Sequence, residues 1–310
     1  MIEIFYKTIP FFALIGLGYS AAITRFFSAE ATAYLTKFVF YFALSAMLFR
    51  FSSDLSLSEL YDPEFIYAYL SASLIIYFLA TAVAIFRKKV PSEAAVEAQC
   101  SVIGNVGFLG IPMLAILMGP KSVGFIMIIL AIDLIVFGSL IVLIIVASKD
   151  KKLDLFLFYR VLLGLMKNPM IVSIICGLLW SASGWSIPGP INDFIVMLGS
   201  AATPGALFAI GASLAQKSTE RFEVAAWLSF CKLVLHPFAV CIAVFYIFEV
   251  ELYAATVMIA AASLPVAGNI FMVAQHYNVA PKRASAAIFL STVLSIFTVS
   301  FTIAWVSSLN

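Results

Sequence analysis

Charge is what this chain has least of. Of its 310 residues only 11% are Asp, Glu, Lys or Arg, under half of the roughly 25% usual in a soluble globular protein. That shortage excludes a soluble enzyme, a disordered chain and a soluble domain carrying one anchor. An excess of one sign is lacking too. The 18 Lys and Arg nearly balance the 16 Asp and Glu, for a net charge of +2. No basic face can then neutralise phosphates, so nucleic acid is not expected as a partner. Cys100, Cys176, Cys231 and Cys241 sit in apolar runs without zinc or redox spacing. They read as small hydrophobes, not as a disulfide framework. His236 and His276, the two histidines, lack metal-ligand spacing. There is no HExxH, GxSxG, P-loop or CxxC, so neither an enzyme, a metal nor a cofactor is expected.

What the chain has instead is apolar length. Its apolar share is 64%, about 198 residues, and its mean hydropathy is +1.10. A membrane-spanning helix needs about 20 mostly apolar residues, which allows about ten spans with little left over. They are expected at about 5–25, 32–51, 64–86, 94–118, 122–147, 164–183, 191–215, 223–247, 251–276 and 282–306. The first run lacks a distinct basic stretch ahead of it and reads as a retained span, not a signal peptide. Loops after odd-numbered spans carry 13 Lys and Arg, and the opposite side carries three, Lys7, Arg50 and Lys121. By the positive-inside rule the odd loops are cytoplasmic and both termini are external. Arg50 reads as a snorkelling anchor.

A shift of 159 residues brings all five spans of the first half onto those of the second. Pro10 falls on Pro169, and the run Ala43–Phe49 falls on Ala202–Phe208. Five spans per half is odd, so the second half must enter the membrane in the opposite sense. This predicts an inverted five-plus-five repeat, residues 1–158 and 159–310, an arrangement frequent in transporters.

Polar and helix-breaking residues inside the spans mark the candidate site. Span four reads Gly104-Asn105-Val106-Gly107-Phe108-Leu109-Gly110-Ile111-Pro112. A break is expected at Pro112, which lacks an N–H and clashes one turn back. A discontinuous helix is tolerated in a bilayer only where protein or a watery cavity satisfies the freed groups; a glycine-lined packing seam would use the same residues. Span nine carries Ser263-Leu264-Pro265-Val266-Ala267-Gly268-Asn269 at the corresponding place. Two interrupted spans at matching positions point to a transport site. Half-helix N-termini there suit an anion, carbonyl ends suit a cation, and Asn105 and Asn269 can complete either shell. Asp133, near the middle of span five, is a functional candidate by depth alone. It could carry a proton, ligate a cation or hydrogen-bond the broken helix while neutral. Lys232 and His236 share a face of span eight and read as a polar network, substrate-binding or structural. Glu97 and Gln99 read as interfacial.

These motifs resemble the auxin efflux carrier family, which includes bacterial organic-acid permeases as well as plant PIN proteins. The run Gly104–Pro112 is similar to the family's fourth-helix signature. Ser263–Asn269, with Phe271, Ala274 and Tyr277, is similar to the ninth, and Thr203–Phe208 to a seventh-helix motif. Long PINs carry a large hydrophilic segment after helix five, whereas residues 148–163 here form a short basic loop, so a small organic acid is a safer expectation than auxin.

The resemblance implies an all-α polytopic membrane protein of sodium–proton-antiporter-like or bile-acid-transporter-like fold, with broken helices four and nine crossed. Spans one, two, six and seven (about 5–51 and 164–215) would form a scaffold. Spans three to five and eight to ten (about 64–147 and 223–306) would form a mobile transport domain. It further implies elevator-type transport of small organic anions across the inner membrane, by a homodimer joined through the scaffold. Substrate-binding candidates are Asn105, Gly107, Gly110, Pro112, Ser263, Pro265 and Asn269, and ion-coupling candidates are Asp133, Lys232 and His236. A cation-coupled symporter of another solute, a channel and a membrane receptor are the alternatives.

Overall fold

The computed structural model describes residues 2–54, 62–149, 163, 166, 168–215 and 221–309. The expected repeat boundary at 158 and 159 lies outside them, as do the start of span six near 164 and the basic residues Lys151, Lys152, Arg160, Lys167 and Lys217. Every regular element among the described residues is a helix, apart from one isolated β-bridge, Gly104 to Val266.

In chain order the helices are α1 (Ile2–Ile23), α2 (Ala29–Ser53), α3 (Pro63–Phe86), α4 (Pro91–Val102), α5 (Val106–Met118), α6 (Ser122–Ser148), α7 (Pro169–Ser183), α8 (Gly189–Leu214), α9 (Phe222–Ile247), α10 (Leu252–Ala262), α11 (Asn269–His276) and α12 (Pro281–Val306). Their starts follow from short-range chemistry. The Ser28, Asp62, Asn168 and Glu251 side chains accept from first-turn N–H groups of α2, α3, α7 and α10. Pro63, Pro91, Pro169, Pro190 and Pro281 occupy first-turn positions, where the missing donor costs nothing.

Among the described residues six helices, α2, α3, α6, α8, α9 and α12, are long and apolar enough to cross a membrane. The other expected spans fall on shorter apolar pieces, within α1, α5, α7 and α10. In the regions of spans four and nine the helix is interrupted, between α4 and α5 and between α10 and α11.

Packing sorts the helices into two groups. Most closely joined are α1 with the second half of α8, and α7 with the second half of α2; separately, α3 packs on α4, α9 on α12 and α4 on the second half of α6. The first pairing is made at backbone level. A Cβ on Gly18 would land in the Phe208 carbonyl, and one on Gly211 in the Ile15 carbonyl, whereas Gly16 faces open space. Small residues let membrane helices approach this closely, and close approach supplies the attraction that lipid cannot. We therefore expect Gly211→Val to lower thermal stability by about 1–3 kcal/mol through overpacking, and Gly16→Val to leave it unchanged. Melting of both variants in detergent checks this; equal effects would refute the close seam.

Candidate transport site

The two interruptions satisfy each other. Asn105 N–H donates to the Pro265 carbonyl at 2.8 Å, and Ala267 N–H donates to the Ile103 carbonyl at 3.0 Å, the two bonds flanking the Gly104–Val266 bridge. Val266 N–H, which points away from that pair, donates to Ser291 Oγ of α12 at 3.1 Å. Pro265 has no N–H to place. Backbone groups that two unwound stretches would otherwise bury unpaired therefore find partners in protein, as a low-dielectric surrounding demands.

The break in the first half is not at Pro112. It lies at residues 103–105, and α5 opens with a π turn, Val106–Gly110, ahead of the regular turns from Ile111. Pro112 is the second residue of that regular stretch. A proline is excluded from a helix by a clash with the carbonyl four residues back and by its missing donor. The wider π turn relieves the crowding and leaves Pro112 inside the helix.

Among the described residues, four buried acceptors here lack partners: Gln99 Oε1, Asn105 Oδ1, Asp133 Oδ2 and Asn269 Oδ1. They gather around three cavities. One of about 290 Å³ is lined by Gln99, Asp133, Asn168, Met170, Asn269 and Tyr277, among others. Another of about 420 Å³ is lined by Thr32, Lys37, Phe108, Ser213, Asn269 and Gln275, with mostly apolar neighbours. Between the interruptions, a water-sized space of about 20 Å³ touches Gly104, Asn105, Gly107, Asp133, Gly268 and Asn269. Asn269 borders all three. The larger two lie near the low end of the roughly 300–1,000 Å³ typical of small-molecule sites, which suits a small solute.

Behind the cavities runs a buried polar network. Tyr69 Oη donates to Asp133 Oδ1 at 2.8 Å. Lys232 Nζ lies 3.1 Å from His236 Nδ1 and donates to the Ala262 carbonyl, and His236 Nε2 lies 3.0 Å from Ser73 Oγ. The Tyr69 and His236 rings meet edge to face at 5.8 Å. Asp133 and Lys232 each belong to a π turn, Asp133–Phe137 and Cys231–Leu235, a local widening frequent at functional sites.

Asn105, Gly107, Asp133 and Asn269 thus come together at cavity walls. Gly110, Pro112, Ser263 and Pro265 line none of these three cavities. Gly110 packs on Leu264, Ser263 Oγ turns back to the Ala260 carbonyl, and Pro265 serves through its own carbonyl. Glu97 is packed inside the protein. It is fully buried and bridges Arg87 and Arg283, the latter at 2.8 Å. Gln99 is buried as well. Tyr69, Ser73 and Ser291 escaped the sequence reading. Shifting Lys232 back by 159 residues lands on Ser73, a signal that was there to use.

Ser291 offers a test of the backbone pairing. Ser291→Ala leaves Val266 N–H buried and unpaired, and we expect a loss of about 1–3 kcal/mol. Ser295 bonds only a carbonyl of its own helix, so Ser295→Ala should cost far less. Equal melting temperatures for the two variants would contradict the role given to Ser291.

Comparison with known proteins agrees with this helical, apolar architecture. A Rhizobium meliloti (strain 1021) protein named "Putative malonate transporter" is 29% identical over 303 residues, 97% of this chain and 95% of that protein. Both that name and the family description below denote transporters, not enzymes. The model of the membrane transport protein family matches residues 3–303, and this multi-pass membrane protein belongs to that family, the auxin efflux carriers.

Proposed function

We propose that the chain is a secondary carrier of small organic anions, with dicarboxylates of malonate size as the substrate class. The observation that carries this reading is the pairing of two interrupted helices beside the Asn105 and Asn269 amides, whose oxygens are buried without a partner among the described residues. At such a place half-helix N-termini and the Asn105 and Asn269 amides can receive a carboxylate without a permanent cation. The relative's name supports the substrate class.

The architecture we infer is a ten-span inverted repeat with α4–α5 crossing α10–α11. In its support, helix starts in the two halves recur at nearly one offset: Pro63 and Phe222, Ser122 and Pro281. The closer packing within each helix group supports a division into a scaffold (α1, α2, α7, α8) and a transport domain (the rest). On this reading the transport domain slides along the scaffold as an elevator, and the scaffold forms the homodimer. The two larger cavities extend along both sides of α11 toward the end where Lys282 follows. With basic loops cytoplasmic, they open inward, in an inner-membrane protein with external termini.

Asp133 is the coupling group in this scheme. It lines a cavity wall, keeps one oxygen without a partner among the described residues, and faces Tyr69, with Lys232 and His236 in the network behind. A bare carboxylate at this depth is costly, so its charge must be paired or titrated during the cycle.

Asn105→Ala and Asn269→Ala should each weaken malonate binding about tenfold or more, the loss of one or two hydrogen bonds, with melting unchanged. Calorimetric titration checks this, and a variant that binds like the parent removes that asparagine from the site. Asp133→Asn keeps shape and hydrogen bonding, so it should still bind malonate while its uptake into proteoliposomes no longer responds to a cation gradient. An intact response would exclude Asp133 as the coupling group and leave electrophoretic uniport as the mechanism.

A further inference from the structure

Lys37 stands within a helix long and apolar enough to cross a membrane, in the first half of α2 and about 12 Å along it from Ala29. An ammonium at such a place is costly, and by default it marks the path of a substrate. Its side chain is exposed, and an exposed side chain within a span meets either lipid or a cavity. Lys37 lines the cavity of about 420 Å³, together with Gln275 and Asn269. Among the described residues no ion pair joins it to an acid. Its ammonium lies 5.6 Å from the centre of the Tyr34 ring, a contact that holds a cation without cancelling its charge.

The two large cavities differ in the sign of their charge. Among the described residues, Lys37 is the one charged side chain in the lining of the larger, and Asp133 the one in the lining of the smaller. A dianion is drawn to the first and repelled from the second whenever Asp133 is ionised. Donors in the larger cavity are few. Thr32 Oγ1 donates to the Ser28 carbonyl at 3.0 Å, Thr36 Oγ1 to the Thr32 carbonyl at 2.8 Å, and Ser213 Oγ to the Ile210 carbonyl at 2.7 Å. Each hydroxyl has one hydrogen to give, so all three are spent on nearby backbone. Among the side chains of this wall, Lys37, Gln275 and Asn269 keep N–H groups for an anion.

We propose that Lys37 is the specificity-determining residue for a second carboxylate. One carboxylate of a dicarboxylate lies at the Asn105 and Asn269 amides, and the other extends into the larger cavity to meet the Lys37 ammonium. The proposal rests on the carrier reading above and adds what separates a dicarboxylate from a monocarboxylate. A lysine is a point charge on a flexible stem, so the ammonium can turn from the Tyr34 ring into the cavity when an anion enters. Lys37 sits on α2, beside α8, and Asn269 on α11, beside α12. A dicarboxylate held at both ends therefore ties the two helix groups together, and a monocarboxylate touches only one.

The test is calorimetric titration of purified full-length protein at neutral pH with malonate and with monomethyl malonate, in which one carboxylate is esterified. The parent should bind malonate about tenfold or more tightly than the monoester, the worth of one charge-assisted hydrogen bond. Lys37→Met keeps the apolar stem without the charge. It should lose that preference, with malonate affinity falling about tenfold, monoester affinity moving far less and the melting temperature unchanged. Lys37→Arg keeps the charge and should retain most of the preference.

Lys37→Met that binds malonate like the parent would overturn the proposal and leave Lys37 a membrane-surface anchor. Equal weakening of both ligands would overturn it too, because a merely structural role acts on both alike. Should Lys37→Met fail to fold, Lys37→Gln gives the same reading. A parent that binds the two ligands equally defeats the second-carboxylate site and leaves an organic-anion carrier standing. A parent that binds neither defeats the carrier reading itself, and the Lys37 site with it.

Discussion

An unpaired peptide group buried away from water costs several kcal/mol in a membrane, and that constraint shapes the middle of this molecule. A helix escapes it by bonding internally. Two helices that stop and restart beside each other escape it only by exchanging bonds, as Asn105 with Pro265 and Ala267 with Ile103 do. The exchange requires the two strands of backbone to come within bridge distance, as the Gly104–Val266 bridge records. It also requires that the donor facing away be served by a third element, and Ser291 of α12 serves it. Residues more than 150 positions apart in sequence thus depend on one another for the most basic bookkeeping of the backbone.

The few charges follow the same economy. Glu97 is fully buried, yet Arg87 and Arg283 reach it from opposite parts of the chain. Arg283 also touches the more exposed Glu93 at 3.3 Å. A buried ion held this way is destabilising to break and only weakly stabilising to possess. Its effect is to fix where α4 begins relative to α12. Deeper in, opposite charges are handled without direct contact: Asp133 has a phenol, and Lys232 has a carbonyl and an imidazole. Neutral partners of this kind hold a charge in place without cancelling it, which keeps each available to something else.

Much of this was legible in the sequence, and the failures have physical causes. All-helical membrane character follows from an apolar share that no aqueous fold could bury, and family membership follows from two motifs that are specific together. Asn105, Asp133 and Asn269 stood out because an amide or acid in an apolar run has few reasons to be there. The first break was misplaced, from residues 103–105 to Pro112, because proline is the loudest breaker in a sequence while a π turn that accommodates one is silent. The full burial of Glu97 was not legible either. Its burial depends on Arg283, 186 residues away, and no local pattern carries that. Tyr69 and Ser73 are ordinary residues for a membrane helix, and only the approach of α6 and α9 makes them polar partners. Only part of the motifs lines the cavities: Gly110, Ser263 and Pro265 shape backbone around a site that Gln99 and Tyr277 help to line.

The two interruptions solve one problem by different means, and the difference has consequences. In the second half the break contains a proline, which removes a donor outright, and α11 restarts directly at Asn269. In the first half every residue from Ile103 to Gly110 keeps its N–H, and the chain restarts through a π turn in which Leu109 and Gly110 both donate to the Asn105 carbonyl, at 3.1 and 2.9 Å. Asn105 is therefore held by three backbone bonds, counting its own to Pro265. Asn269 begins a helix of eight residues with cavities on both of its sides. An amide fixed by its backbone presents one geometry to a ligand; an amide at the head of a short, flanked helix can follow one. If both asparagines meet the same carboxylate, the first half supplies the fixed contact and the second the compliant one, so rearrangement around the ligand falls on α11.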